Sequence, residues 1–102
     1  MNSVSNNRVA IITGAGSGIG KHTALRFLED GYNVVLAGRR LETLECTKRD
    51  SKHNGSRVLL IPTDVSDPNS IRQLFSKTTE QYGRLDVLFN NAGIGSPRDI
   101  LF

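Results

Sequence analysis

The chain has 102 residues, of which 37% are hydrophobic and 23% are charged, a composition typical of one small globular domain. Its net charge of +3 arises from 13 basic and 10 acidic residues scattered along the sequence, so nothing in the charge suggests a nucleic-acid partner. No apolar run approaches the ~20 residues of a membrane span, and the N-terminal MNSVSNNR lacks the apolar centre of a secretory signal. One cysteine, Cys46, cannot form an internal disulfide. We therefore expect a cytoplasmic protein.

Predicted strands and helices alternate in the first half of the sequence. The β-branched run at 8–13 predicts a strand, and a glycine-rich turn then leads into a helix. Four residues at helical spacing form the apolar face of that helix: Gly20, Ala24, Phe27 and Leu28. A second strand is predicted at 33–38, and a weaker helix at 40–53 has Leu41 and Leu44 facing inward.

The second half continues the alternation. A third strand is predicted at 57–62, and Asp67 as a cap with Pro68 at the first helical position opens a third helix. The fourth strand, DVLFN, covers 86–90. Continuously apolar strands are typical of a sheet covered by helices on both faces. The order predicts an α/β fold, a Rossmann-type doubly wound parallel sheet with right-handed crossovers.

The glycine-rich turn TGAGSGIG, at 13–20, lies between the first strand and the first helix. Unpaired N–H groups and the helix dipole at such a helix N-terminus favour a phosphate, and glycine lets the phosphate approach the backbone. The common G-x-G-x-x-G spacing counted from Gly14 would need glycine where Ile19 stands. The observed spacing is Gly14-x-x-x-Gly18-x-Gly20, and no Gly-Lys-Ser/Thr of a Walker loop follows.

Three motifs together resemble the short-chain dehydrogenase/reductase family: TGAGSGIG, the pair Asp64-Val65 and NNAG at 90–93. They follow the predicted strands one, three and four, and the resemblance covers nearly the whole chain. It implies the strand order 3-2-1-4 and a dinucleotide cofactor. The residues that it places along the cofactor are Gly14, Ser17, Gly18, Ile19, Gly20, Asp64, Val65, Asn91, Ala92 and Gly93.

Several of these residues also have a simpler structural interpretation. Asp64 can act only as a cap or turn residue before the third helix. Asn90 is better explained as a partner for backbone groups at the strand end than as a ligand contact. Ser17 can be the N-cap of the first helix, which is compatible with a phosphate contact. Cys46 is expected to pack inertly on its helix, and neither histidine has partners at metal-ligand spacing.

The end of the second strand, LAGRR, addresses the choice of cofactor. Gly38 stands where NAD-dependent relatives carry an acid that bonds the ribose hydroxyl, and Arg39 and Arg40 follow it. A guanidinium binds phosphate through charge-assisted hydrogen bonds, and at the start of a helix its charge is otherwise slightly unfavourable. We therefore favour NADP over NAD.

The reacting residues of the family are not found in this sequence. The resemblance implies a tyrosine followed by lysine four positions on, but Tyr32 is followed by Leu36 and Tyr82 by Asp86. We expect 1–102 to be the dinucleotide-binding part of a longer homo-oligomeric enzyme that transfers hydride between the nicotinamide and a carbonyl or alcohol substrate. The alternative is a non-catalytic nucleotide-binding module that is complete as given.

The resemblance also bears on the last residues. The given residues stop at SPRDILF, at 96–102, where the resemblance implies the start of a dimer-forming helix, and it also implies that a later strand pairs beside the fourth strand. We therefore expect Val87, Leu88 and Phe89 to lie on an uncovered sheet edge within these 102 residues.

Overall fold

The architecture is that of a computed structural model, which describes residues 7–16, 18–52, 57–91 and, as backbone, 99–101. Strands and helices alternate through most of the chain. The elements are β1 (Val9–Thr13), α1 (Gly18–Glu29), β2 (Asn33–Gly38), α2 (Leu41–Ser51), β3 (Val58–Pro62), α3 (Pro68–Tyr82), β4 (Val87–Phe89) and β5 (Asp99–Leu101). Each of the seven predicted elements is therefore present, and the five whose bounds were predicted differ from them by at most two residues at either end.

The sheet has the order β3-β2-β1-β4-β5, and its first four strands are parallel. The central strand β1 is buried along its whole length, and its residue Ile11 pairs with Val35 on one side and Leu88 on the other. This confirms the predicted doubly wound parallel sheet with strand order 3-2-1-4. The carboxyl ends of the four parallel strands consequently lie at one edge of the sheet.

The last strand corrects one expectation. β5 pairs with β4 in the antiparallel direction, with Phe89 opposite Asp99 and Val87 opposite Leu101. The expected uncovered edge at Val87, Leu88 and Phe89 is therefore wrong. The reason is that the outer edge of β4 presents open N–H and C=O groups, which a returning chain segment can pair.

Two helices cover one face of the sheet and one helix covers the other. Residues of α1 and α2 pack with alternate sheet residues in one buried cluster: Ala10, Ile12, Ala15, Ala24, Leu28, Val34, Leu36, Leu44 and Val58. The cluster beneath α3 contains Val9, Ile11, Val35, Ala37, Ile61 and Leu74. Because successive side chains of a strand point to opposite faces of the sheet, the same strands contribute to both buried clusters.

Helix α2 differs from its prediction at two residues. Leu44 is buried as expected, but Leu41 is 43% exposed. Helical side chains lean toward the N-terminus, so a side chain at the first helical position points beyond the packed part of the helix. Cys46 is exposed rather than packed, because it lies two residues from Leu44 and therefore on another face.

Helix α3 begins and ends as its sequence indicates. The carboxylate of Asp67 accepts a hydrogen bond from the N–H of Asn69 (3.0 Å), Pro68 occupies the first turn, and Gly83 ends the helix at φ +77°. Leu74 and Thr78 are fully buried against the sheet. Within the part of the chain that the structure describes, no helix is long and apolar enough to cross a membrane.

Candidate functional site

The residues that the sequence singles out follow four neighbouring parallel strands. Gly14 comes directly after β1, Arg39 after β2, Asp64 two residues after β3 and Asn91 two residues after β4. The parallel order therefore brings these segments to the carboxyl edge of the sheet, where doubly wound folds bind ligands.

The glycine loop between β1 and α1 contains two residues in the left-handed region. Gly14 has φ +63° and Gly18 has φ +58°, conformations that L residues with a β-carbon rarely adopt. A β-carbon at Gly14 would lie 2.9 Å from the carbonyl oxygen of Asn91. At Gly18 no described atom other than those of its chain neighbours and of the backbone of its own helix lies within 4 Å of a β-carbon, so the space beside it is open. The loop therefore has room for a ligand at Gly18 and none at Gly14.

The other two glycines allow close packing within the loop and against a helix. A β-carbon at Gly20 would lie only 2.1 Å from the carbonyl oxygen of Gly14, and one at Gly16 would lie 2.2 Å from the Thr43 hydroxyl oxygen. Glycine is thus favoured at each of the four loop positions for a different physical reason, and only Gly18 of the four borders open space. Ile19, in the first turn of α1, is 67% exposed on this side.

The ends of β1 and β4 are joined through the side chain of Thr13. Its hydroxyl donates to the side-chain oxygen of Asn90 (2.9 Å) and accepts from the backbone N–H of Asn91 (2.7 Å). Asn90 therefore has a partner within the protein, the side chain of Thr13, while its role as a partner for backbone groups stays a prediction. Thr13 has no role that its sequence context predicts, because its partner lies 77 residues away and is identified only by the strand order.

Asp64 forms a local turn at the end of β3. Its carboxylate accepts hydrogen bonds from the hydroxyl (2.7 Å) and the backbone N–H (3.0 Å) of Ser66. The hydrogen bond from the Ser66 hydroxyl holds the pKa of Asp64 below its ordinary value, and the positive charge of Arg39 adds to this effect. The simple turn interpretation of Asp64 is thus satisfied, and the side chain remains only half-buried.

Val65 borders a cavity of about 250 Å³ on the α3 side of the sheet. Its walls are mostly apolar and include Leu74, Phe75 and Leu88, with Thr13 and Asn90 at the strand ends. The cavity exists because α3 alone covers this face among the described elements. It is therefore a gap beside the core and not a second polar site.

Arg39 and Arg40 are exposed between β2 and α2. The backbone carbonyl of Arg40 caps α2 by accepting from Thr43 and Leu44, while its side chain makes no capping hydrogen bond. Within the ranges that the structure describes, neither guanidinium lies within ion-pair distance of a carboxylate. Two positive charges therefore stand beside the glycine loop.

The remaining predicted residues, Ser17, Ala92 and Gly93, lie outside the described residues. The described ranges contain no group of three or more His, Cys, Asp or Glu side chains that could hold a metal ion.

The chain belongs to the short chain dehydrogenase family, whose family profile matches residues 8–101. An uncharacterized oxidoreductase from Listeria monocytogenes is 46% identical over 88 residues, covering 86% of this chain and 36% of that protein. An NADPH-dependent reductase from Bacillus subtilis is 38% identical over 88% of this chain and 36% of its own length. The chain thus spans about a third of the length of the curated relatives that it matches.

Solved structures agree with this family. A short chain dehydrogenase from Bacillus anthracis superimposes with a TM-score of 0.81 at 38% identity, over 84% of this chain and 35% of that one. Other matched structures contain NADPH or NADH, so the family uses both dinucleotides. The comparisons establish an oxidoreductase family that binds a dinucleotide.

Proposed function

We propose that the protein is an NADP-dependent oxidoreductase in which this chain, residues 1–102, forms the dinucleotide-binding domain. The observation that carries the proposal is the end of β2, where Gly38 is followed by two exposed arginines. When bound, the nicotinamide would supply or accept the hydride that a carbonyl or alcohol substrate exchanges. The catalytic residues are assigned to none of these 102 positions.

Gly38 disfavours recognition of NAD by an acid at this position. A β-carbon at Gly38 would lie 3.1 Å from the side chain of the buried Leu44, so a larger acidic side chain would need Leu44 to move. Its backbone is also fixed, because its carbonyl accepts a 2.6 Å hydrogen bond from the N–H of Thr63. The absence of an acid removes repulsion toward a 2′-phosphate, and the next two residues offer positive charge.

The glycine loop would hold the pyrophosphate. The open space beside Gly18 and the unpaired N–H groups expected in the first turn of α1 fit an anionic group. By the family resemblance, Asp64 and Val65 would contact the adenine and Asn91 would lie along the adenosine. The same resemblance adds Gly14, Ser17, Ile19, Gly20, Ala92 and Gly93 to the cofactor site.

The localisation, oligomeric state and substrate of the whole protein are part of the same proposal. We place it in the cytoplasm because its cysteine content fits a reducing compartment, and we expect the complete enzyme to be a homo-oligomer. Its organic substrate would be a small carbonyl or alcohol compound.

Cofactor titration of the protein encoded by the complete open reading frame tests the proposal. The unmutated protein should bind NADP more tightly than NAD. Arg39→Asp should remove most of that preference, because loss of a charge-assisted phosphate contact costs about 1.5–3 kcal/mol. Arg72→Asp, the same charge change on α3, is the control and should preserve the preference. Equal affinity of the unmutated protein for NAD and NADP would contradict the proposal.

A further inference from the structure

Helix α2 is fastened to the glycine loop by a buried threonine. Thr47 is fully buried, and its hydroxyl donates a 2.8 Å hydrogen bond to the carbonyl oxygen of Ala15. The carbonyl of Thr43 in the same helix is a second acceptor at 3.3 Å, so the shorter bond is the one that leaves the helix. A threonine inside a helix ordinarily satisfies its hydroxyl on its own backbone, which makes this outward bond informative.

The second backbone group of Ala15 is also engaged. Its N–H donates to the carbonyl of Ala37 in β2 at 3.1 Å. Ala15 is fully buried, so both of its main-chain groups depend on these protein partners. The glycine loop is therefore held between β2 on one side and α2 on the other.

A neighbouring threonine extends this connection to the arginines. Thr43 lies so close to Gly16 that a β-carbon there would be 2.2 Å from the Thr43 hydroxyl oxygen. The same hydroxyl donates to the carbonyl of Arg40 at 2.9 Å. The segment 40–47 thus contacts two successive residues of the loop, Ala15 and Gly16, and it begins at the second of the two arginines.

We propose that Thr47 is a positioning residue for dinucleotide binding, which holds the glycine loop at a fixed separation from Arg39 and Arg40, with Thr43 as its packing partner. The inference rests on the proposed function, which identifies the glycine loop and the arginine pair as the two anchoring points of the dinucleotide. A ligand that reaches both points binds best when their separation is already correct, whereas a ligand that reaches only one point is indifferent to it.

The experiment compares a whole dinucleotide with a fragment, using the protein encoded by the complete open reading frame. Thr47→Val keeps the side-chain shape but removes the donor, so the affinity for NADPH should fall roughly tenfold. The affinity for adenosine 2′-monophosphate, which lacks the pyrophosphate, should stay unchanged. Thr47→Ser restores the hydroxyl and should recover most of the NADPH affinity. Calorimetric titration measures all of these affinities.

The chain contains a matched control for this substitution. Thr78 on α3 is also fully buried, but its hydroxyl bonds the carbonyl of Leu74 in its own helix at 2.7 Å. Thr78→Val should therefore leave the affinities for NADPH and for the fragment unchanged. The split between dinucleotide and fragment separates positioning from a general loss of stability.

A second variant guards against misfolding of Thr47→Val. Thr43→Ala removes the hydroxyl that lies nearest to Gly16, at a half-buried position in the first turn of α2, and it should weaken NADPH binding severalfold while sparing the fragment. NADPH affinity that is unchanged in folded Thr47→Val, or in Thr43→Ala when Thr47→Val does not fold, would overturn the inference. An equal loss for dinucleotide and fragment would also overturn it.

Failure of the proposed function is distinguishable from failure of this inference. If the unmutated protein binds NADH as tightly as NADPH, the proposed cofactor preference fails. In that case Thr47→Val is titrated with NADH, adenosine 5′-monophosphate and adenosine. Relative to the unmutated protein, it should bind the first two less tightly, because they carry a phosphate for the glycine loop, and adenosine equally well. Absence of any dinucleotide binding by the folded protein would overturn both proposals.

Discussion

The carbonyl oxygen of Gly14 packs directly against the α-carbon of Gly20, so that a β-carbon at Gly20 would lie 2.1 Å from that oxygen. Such a distance cannot be accommodated by rotation of a side chain, because both partners are backbone. The same position would be 3.0 Å from the side-chain nitrogen of Asn91. Gly20 thus sets how closely the end of β1, the first turn of α1 and the end of β4 approach one another.

Gly20→Ala should therefore displace the loop and destabilise the protein. Overpacking of this kind costs about 1–3 kcal/mol, and the affinity for dinucleotide should fall with it. Gly83→Ala is a suitable control, because alanine is strained at the left-handed φ of Gly83 (+77°), but a β-carbon there meets nothing within 4 Å. It should lower the unfolding free energy without affecting cofactor binding. Denaturant unfolding and cofactor titration measure the two effects, and normal dinucleotide affinity in Gly20→Ala would refute the packing argument.

Gly18 should respond differently, because its neighbourhood is open. Gly18→Val places a branched side chain at φ +58°, which costs roughly 1–2 kcal/mol of backbone strain but causes no clash within the described structure. The side chain would occupy the space that we assign to the pyrophosphate. We expect a folded protein that no longer binds the dinucleotide, measured by titration beside a thermal unfolding curve. Retained affinity with an intact fold would remove Gly18 from the site.

The alternation of elements could be read from the sequence because each signal is local. The strand at 33–38 agrees with β2 residue for residue, and the Asp67-Pro68 cap starts α3 as expected. The glycine spacing placed the loop between β1 and α1 for the same reason. Hydrophobic period, capping and turn chemistry all act within a few residues.

Contacts between distant residues could not be predicted in the same way. The Thr13 bond to Asn90 and the Thr47 bond to Ala15 join residues far apart in sequence, and nothing in either residue type identifies its partner. The sequence explained Gly16 only as part of a turn, whereas its contact with Thr43 depends on how α2 crosses the loop. Topology had to be known before these contacts could be assigned.

We expect the stability of the fold to fall at acid pH through Asp86, which lies two residues after Arg84 and directly before β4. Its carboxylate accepts hydrogen bonds from the Arg84 side chain and from the N–H of Val9 at 2.8 Å. The Arg84 bond holds the pKa of Asp86 below its ordinary value of 3.8, and the Val9 bond adds to this. A lowered pKa in the folded state stabilises the fold fully above pH 3.8, and this stabilisation is lost as the pH falls through the folded-state pKa.

Asp86→Ala should accordingly lower the unfolding free energy at neutral pH by about 1–2 kcal/mol, through loss of the bond to Val9. The difference from the unmutated protein should shrink as the pH falls below 3.8. Asp30→Ala removes a carboxylate from the exposed Arg26–Asp30 pair and should change stability little at any pH. Denaturant titrations across the acid range measure these differences. A constant gap between Asp86→Ala and the unmutated protein at every pH would contradict the role of the carboxylate.

The 102-residue polypeptide expressed alone should unfold without a sharp transition. β5 pairs the edge of β4, but α3 is the one described helix on its face of the sheet, and Phe75 and Leu88 remain half-buried beside the 250 Å³ cavity. A small core with a partly uncovered apolar face gives low cooperativity and favours association. Light scattering and thermal unfolding test this expectation. A monodisperse monomer with a sharp transition would contradict it.

The same polypeptide should transfer no hydride. Its two tyrosines, Tyr32 and Tyr82, are followed four positions on by Leu36 and Asp86, so neither has the lysine that the family resemblance implies for proton transfer. Tyr82 is half-buried, and burial raises its pKa, which makes it a poorer proton donor. Weak dinucleotide affinity should persist, because the glycine loop and the arginines remain. NADPH oxidation assays with several carbonyl substrates, read beside NADPH titration, separate binding from turnover. Turnover at any measurable rate would contradict the prediction. If that turnover survived both Tyr32→Phe and Tyr82→Phe, the chemistry would need neither tyrosine of the chain.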